Sequence, residues 1–157
     1  MAFTTEKGFN NVENPLAGSV YGNFNDIQTR FAEAPLAAGV AVAAGTGENG
    51  VVALTANNQV FEGITVQTYT NENSTSNTVV TETGDAIGVL TKGFIYMAVD
   101  PAITVATATK AYIKPATNGL QLTNVAGTDN IFIGYFRSKK MANNVCRVEV
   151  NLALAQI

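Results

Sequence analysis

Histidine and tryptophan are absent from the 157 residues, and cysteine occurs once, as Cys146. The missing histidine removes the commonest general base, the commonest metal ligand and the Ser-His-Asp triad together. A metal centre would have to be built from carboxylates alone, or from Cys146 with carboxylates. A single cysteine forms no intrachain disulfide, so the fold is not a disulfide scaffold and suits a reducing cytoplasm. Charge is scarce too: Asp, Glu, Lys and Arg make up 13% of the chain, against a usual share of roughly 25%. The net charge of −3 argues against a nucleic-acid partner, because phosphate binding needs clustered Lys and Arg. The densest basic stretch is Arg137, Lys139 and Lys140, with Arg147 nearby in sequence. It reads as a solvated turn between strands, or as a contact with an acidic partner surface. Long apolar runs are missing as well. The most apolar stretch, residues 36–44, contains Gly39, and a membrane helix needs about twenty residues. The first eight residues lack the basic region and apolar run of a signal peptide. The expectation is a protein with no membrane partner and no export signal.

What remains is 46% apolar, enough for a core in one domain of ordinary size. That fraction leans on Ala and Val. The polar remainder is Thr, Asn, Gly and Gln, which gives a neutral, hydrogen-bonding surface suited to a protein embedded in an assembly.

Residues 1–35 read differently from the rest. Gly8, Pro15, Gly18 and Gly22 break the segment, and Phe3, Phe9, Tyr21, Phe24 and Phe31 are scattered along it. Residues 25–34 have room for a helical turn or two, without a sustained apolar period. The expectation is an extended N-terminal arm over residues 1–35 with Phe3, Phe9, Tyr21 and Phe24 as partner-contact residues. The alternative is an arm packed on its own domain. Residues 36–157 form the β-domain. Strand segments fall at 40–44, 51–54, 60–69, 78–81, 86–91, 94–99, 105–113, 120–123, 131–136 and 145–154, separated by turn residues. Gly63 marks a bulge inside the third, and Asn118-Gly119 is the strongest hairpin signal. In the last segment Cys146, Val148, Val150, Leu152 and Leu154 alternate with Arg147, Glu149, Asn151 and Ala153, one face buried and one wet. The fold class is all-β: a small β-sandwich or barrel of about nine or ten short strands.

No constellation carries chemistry. Gly45-Thr46-Gly47-Glu48-Asn49-Gly50 matches G-x-G-x-x-G, but the residues that follow read as a strand. Without a helix N-terminus the dinucleotide mechanism is lost, and a glycine-rich hairpin remains. Glu82 and Asp85 bracket a turn that reads as solvated rather than as a cation site. Glu62 and Glu149 are the pair a glycosidase would need, but no Trp or Tyr set makes a sugar platform. Cys146 reads as a buried, inert thiol. Asn73-Ser74-Thr75 is a formal glycosylation sequon that reads as chance. No catalytic, cofactor or metal residue is assigned.

Several segments together resemble the decoration or cement proteins of tailed double-stranded DNA phages. They are Ala38-Gly39-Val40-Ala41-Val42, Ala86-Ile87-Gly88-Val89-Leu90 and Gly93-Phe94-Ile95-Tyr96-Met97-Ala98-Val99-Asp100. Ala111-Tyr112-Ile113, Gly119-Leu120, Ile131-Phe132-Ile133-Gly134-Tyr135-Phe136 and Cys146-Arg147-Val148-Glu149-Val150 complete the set. The resemblance implies a non-catalytic virion protein, made in the bacterial host cytoplasm, that sits on the outer capsid surface. It implies the major capsid protein as partner and a homo-oligomer, most often a trimer, with no cofactor. The alternatives are another virion structural β-protein (capsid, tail or fibre-associated), or a ligand-binding or hydrolytic β-domain. An enzyme would show a concave site with convergent polar groups and perturbed pKa values.

Overall fold

The computed structural model describes residues 15–67, 80–117 and 120–155. Eleven strands are described, and the chain is essentially all-β. The first half carries β1 (Val20–Ala32), β2 (Leu36–Ala37), β3 (Ala41–Ala44), β4 (Gly50–Ala53), β5 (Phe61–Thr65) and β6 (Val80–Thr81). The second carries β7 (Ala86–Ala98), β8 (Lys110–Ile113), β9 (Leu122–Thr123), β10 (Ile131–Phe136), β11 (Val145–Asn151) and a single helical turn, α1 (Leu152–Ala155). The hairpin signal at Asn118-Gly119 and the sequon at Asn73 lie outside the described residues.

The long strand β7 organises the rest. Its residues 86–91 and 94–99 were expected as separate strands, yet pairing is continuous through Thr91-Lys92-Gly93. Partners on both edges enforce that continuity. β1 runs antiparallel along one edge from Ala86 to Ile95. On the other edge β5 pairs with Val89 and Leu90, and β11 pairs from Lys92 to Ala98. The helical turns expected within residues 25–34 do not form. An unpaired β7 edge would leave a row of buried backbone groups unsatisfied, and local preference yields to that demand.

β1 pairs with β4 as well as β7, so the sequence of pairings β1-β4-β3-β5-β7-β1 closes on itself. The second half continues from β7 as β11-β10-β8-β9. One core cluster draws on strands of the closed circuit and on β2: Ala32, Leu36, Val42, Val51, Ile87 and Val89. The larger cluster lies between the halves. Ala41, Ala43, Phe61 and Ile64 come from the first, and Ile113, Ile133, Phe136, Val148 and Val150 from the second, with Leu90, Ile95 and Met97 of β7 between. β7 is thus buried on both faces, Val89 into one cluster and Leu90 into the other. The buried side chain of Gln121 stitches the halves together. Its Oε1 accepts from Ala41 N at 2.8 Å, and its Nε2 donates to Leu54 O at 2.9 Å and to Ala41 O at 3.3 Å.

Local chemistry sets the details. Gly63 takes φ of 138° where the β3–β5 register slips between Val42 and Ala43, and a Cβ there would overlap the Leu90 carbonyl oxygen. Only glycine tolerates that conformation at such close approach. β11 was expected to run to residue 154, but it ends at Asn151, whose Oδ1 accepts from Ala153 N at 3.1 Å. That is an N-cap contact, and it starts α1 instead of extending the strand. Leu152 is consequently half-buried against the core rather than part of the strand's buried row.

The circuit is locked at one end by Glu33. Its carboxylate accepts from Thr46 N at 2.9 Å, Gly47 N at 2.6 Å and Thr46 Oγ1 at 3.1 Å. The glycine-rich segment 45–50 is indeed the turn of the β3–β4 hairpin, closed by Gly45 N donating to Gly50 O at 2.8 Å. What it cradles is a carboxylate of its own chain. Those backbone N–H donors hold the Glu33 carboxyl below the ordinary glutamate range.

Four stability changes follow from this architecture. Ile95→Ala should cost about 2–5 kcal/mol in denaturant unfolding, and Leu152→Ala less, because Leu152 is only half-buried. Gln121→Leu should cost about 1–3 kcal/mol, since it leaves the buried Ala41 N–H without its acceptor; Ala41 O and Leu54 O keep the backbone donors Leu54 N and Ala116 N. Glu33→Ala should lower the melting temperature at neutral pH. Because the folded-state pKa is depressed, the contribution is present above the ordinary glutamate pKa and is lost as pH falls through the lowered one. The wild-type advantage should therefore shrink on acidification. A gap between wild type and Glu33→Ala that stayed constant across the acid range would refute the lock.

Candidate partner-binding surface

β1 covers the edge of β7 with its backbone while leaving its side chains out. Val20, Tyr21, Phe24, Ile27 and Phe31 are all exposed large apolar residues on this strand. Along residues 20–30 its outer edge meets no other strand among the described residues. Among the described residues the other exposed large apolar side chains are valines scattered singly, Val60, Val80 and Val125.

The strand is interrupted by a built bulge. From Tyr21 to Asp26 β1 advances five positions while β7 advances two, from Phe94 to Lys92. The four residues Gly22-Asn23-Phe24-Asn25 stand opposite Gly93 alone, a surplus of three, and arch away from the sheet. Asn25 pins both sides of the arch. Its Nδ2 donates to Gly22 O at 2.8 Å and Tyr21 O at 3.3 Å, and its Oδ1 accepts from Phe94 N at 2.9 Å. Gly93, at φ of 139°, lies beneath, and a Cβ there would overlap Asn25 Oδ1. Thr91 Oγ1 closes the far end by donating to Asp26 O at 3.2 Å. Phe24 rides on the arch at 91% exposure.

Tyr21, by contrast, is committed to its own sheet. Its ring meets Phe94 and Tyr96 edge-on, with centroids 6.4 and 6.3 Å away. The Arg147 guanidinium lies 4.2 Å over its face. Arg147 Nη2 donates to Arg137 O at 3.2 Å, while its buried Nε has no hydrogen-bond partner in the structure. Stacking on the Tyr21 ring is what compensates that group. The cross-strand row continues from Tyr21 through Phe94, Glu149 and Tyr135 to Lys110. Arg137 donates to Glu149 Oε2 at 2.6 Å from Nε and lies 5.5 Å from the Tyr135 ring. Lys140 Nζ donates to the carbonyl oxygens of Pro101 and Ile103. Arg137, Lys139 and Lys140 do lie between β10 and β11, and Lys139 is exposed there, but Arg137 and Lys140 are spent on internal contacts and Arg147 is half-buried in β11. Strand geometry places Arg147 there: in a pleated sheet Arg147 and Glu149 share the face opposite Val148 and Val150.

Of the residues expected to contact a partner, Tyr21 and Phe24 lie on β1, and Phe3 and Phe9 fall outside the described residues. Ile27 and Phe31, exposed on the same strand, escaped the sequence reading. The signal was present: Ile27, Thr29 and Phe31 alternate with Asp26, Gln28 and Arg30, a strand period.

The candidate chemical groups are dispersed. Glu62 pairs with Arg30 at 2.9 Å and Glu149 with Arg137, two separate ion pairs rather than a carboxylate couple. Among the described residues no three of His, Cys, Asp and Glu converge. Cys146 lies in the main core, and burial pushes its thiol up to about 11, with Lys140 opposing. Such a thiol stays protonated at neutral pH and is a poor nucleophile. It should resist thiol reagents at pH 7–8 until denaturant unfolds the sheet; rapid labelling of the folded protein would contradict that placement.

Comparison with known proteins finds a family and solved structures that the chain resembles. The family described as structural cement protein (E217 gp24/Pam3 gp6) matches residues 14–151. A chain in the solved capsid structure of Myoviridae phage XM1 superposes with a TM-score of 0.71 at 19% identity, covering 96% of this chain and 98% of that one. The search of curated proteins finds no match. The shared fold and the match across nearly the whole described chain lead to one assignment: the protein belongs to the structural cement protein family of phage virions.

Proposed function

We propose that this protein is a non-catalytic cement subunit that binds the outer surface of an assembled phage capsid, with the major capsid protein as its partner. The observation that carries the reading is family membership over residues 14–151. The surface described above supports it. Large apolar side chains concentrate on one exposed strand, β1, while on the neighbouring sheet face Arg137 pairs with Glu149 and Arg147 lies over the Tyr21 ring. A surface of that kind buries well against another protein and offers nothing to a phosphate backbone.

We assign partner contact to the N-terminal segment, residues 1–35, with Phe3, Phe9, Tyr21 and Phe24 as its aromatic contributions. The described part of that segment already follows the β-domain: Pro15 O accepts from Asn143 Nδ2 at 2.8 Å, and Gly18 N donates to Tyr96 O at 2.7 Å. The contact surface is thus carried on a fixed support from residue 15 onward. The oligomeric form that suits a shell of threefold and quasi-threefold positions is a homotrimer.

Purified protein mixed with heads of its phage that lack it should cosediment to saturation and raise the temperature at which those heads release DNA. Light scattering should give a trimeric mass for the free or bound form. Absence of cosedimentation at micromolar protein would end the capsid reading, and a different mass would end the trimer alone.

A further inference from the structure

We propose that Phe24 is the anchor that seats this protein in an apolar cleft of the capsid shell, and that Asn25 is the positioning residue that aims it. The inference rests on the capsid-binding reading above and names the side chain at the centre of that contact. Among the aromatics of β1, Tyr21 has its ring enclosed by Phe94, Tyr96 and Arg147. Phe24 is 91% exposed and makes no ring or cation contact among the described residues. Leaving a phenylalanine in water forgoes about 1.5–3 kcal/mol of burial. Here it stands on a mount that the chain has gone to some length to build.

The mount is rigid for stated reasons. Three hydrogen bonds from the Asn25 side chain fix the arch to β1 and β7, and Gly93 leaves room for Asn25 Oδ1. A side chain presented in this way loses little freedom on binding, so most of its burial appears as affinity. Buried aromatic anchors of this kind dominate protein interfaces. The arch is convex and carries no charge across Gly22-Asn23-Phe24-Asn25, so its complement is a concave, neutral, apolar cleft. Two concave sites on the described surface of a second copy do not match it, since both carry charge: one places Glu33 and Glu48 beside Phe31 and Ala32, the other Asp26 and Lys92 beside Leu152. The shell is therefore the occupant to which the geometry points.

The test uses full-length protein and heads lacking it, with binding read by cosedimentation. Phe24→Ala should bind at least about tenfold more weakly, and Phe24→Leu should stay within roughly threefold of wild type. Asn25→Ala should lose a comparable factor, and Asn25→Asp less, because it keeps an acceptor for Phe94 N. The Phe24→Ala/Asn25→Ala double variant should bind no worse than Phe24→Ala, the non-additivity expected if Asn25 acts through Phe24. Melting temperature and mass of the free protein should be unchanged by either Phe24 variant. Wild-type binding with Phe24→Ala undiminished overturns the anchor while sparing the capsid reading. Additive losses overturn the positioning role. A changed oligomeric mass in Phe24→Ala places Phe24 between copies and overturns the shell as occupant. Failure of the wild type to bind overturns the capsid reading and this inference with it.

Discussion

A strand buried on both faces and paired on both edges is the constraint from which the other features follow. β7 packs Ile87 and Val89 into one cluster and Leu90, Ile95 and Met97 into the other. Its backbone has no route to water, so each N–H and C=O needs a partner strand. β5 and β11 share one edge because neither is long enough to cover it alone. The opposite edge needs a strand as long as β7, and β1 matches its thirteen residues. Covering β7 in this way requires backbone only. Apart from Ala32, the side chains of β1 are released from the core, and they hold most of the exposed large apolar residues among the described ones.

This division explains the composition. The core is assembled mainly from aliphatic side chains, with Phe61 and Phe136 among them, between closely paired strands. Other aromatics lie in the outer row from Tyr21 to Lys110, where Arg137 lies over Tyr135 and Arg147 over Tyr21. Charges outside that row, such as Glu48, Asp85 and Lys114, are exposed on other parts of the surface. The contact energy of β1 therefore comes from shape and apolar area. The exposed edge of β1 would be a liability in a crowded solution. The three-residue surplus of the bulge, read from the five-against-two register, twists and interrupts that edge.

Much of this was legible in the sequence, and the failures have physical causes. The strand at 131–136 was read to the residue, and those at 40–44, 51–54 and 145–154 to within a few, because turn residues bound each run and, in the last, alternation reflects one buried face. β7 was read as two strands because Gly93 and Lys92 interrupt its pattern, although strands on both edges hold it continuous. Burial on both faces also erases the period-2 signal that alternation depends on. The end of β11 was misplaced because Asn151 acts through a side-chain cap, and alternation does not register that. β1 was the largest loss. Its alternation of Ile27, Thr29 and Phe31 is short and faces water rather than a core, so it stood out little from the polar, Gly-broken residues before it. The aromatic residues Tyr21 and Phe24 were legible as unattached apolar area. That one is tied down and the other free depends on Arg147 and Asn25, and no sequence rule brings those together.

The separation of core from contact surface also bears on how so small a chain could stabilise a shell. A ligand that binds the assembled state and not the free subunits stabilises it by mass action, by about 2.7 kcal/mol per site when present at a hundred times its Kd. Each subunit therefore needs only a modest, well-placed contact, repeated over many sites. A mount whose folding is complete before binding is suited to that role, since the ordering cost is met within the free protein. Pairing along β7, the Asn25 hydrogen bonds and the Glu33 lock all lie within one chain. The affinity of each site can then be set by the side chains on the arch, and the stability of the subunit by residues that never reach the shell.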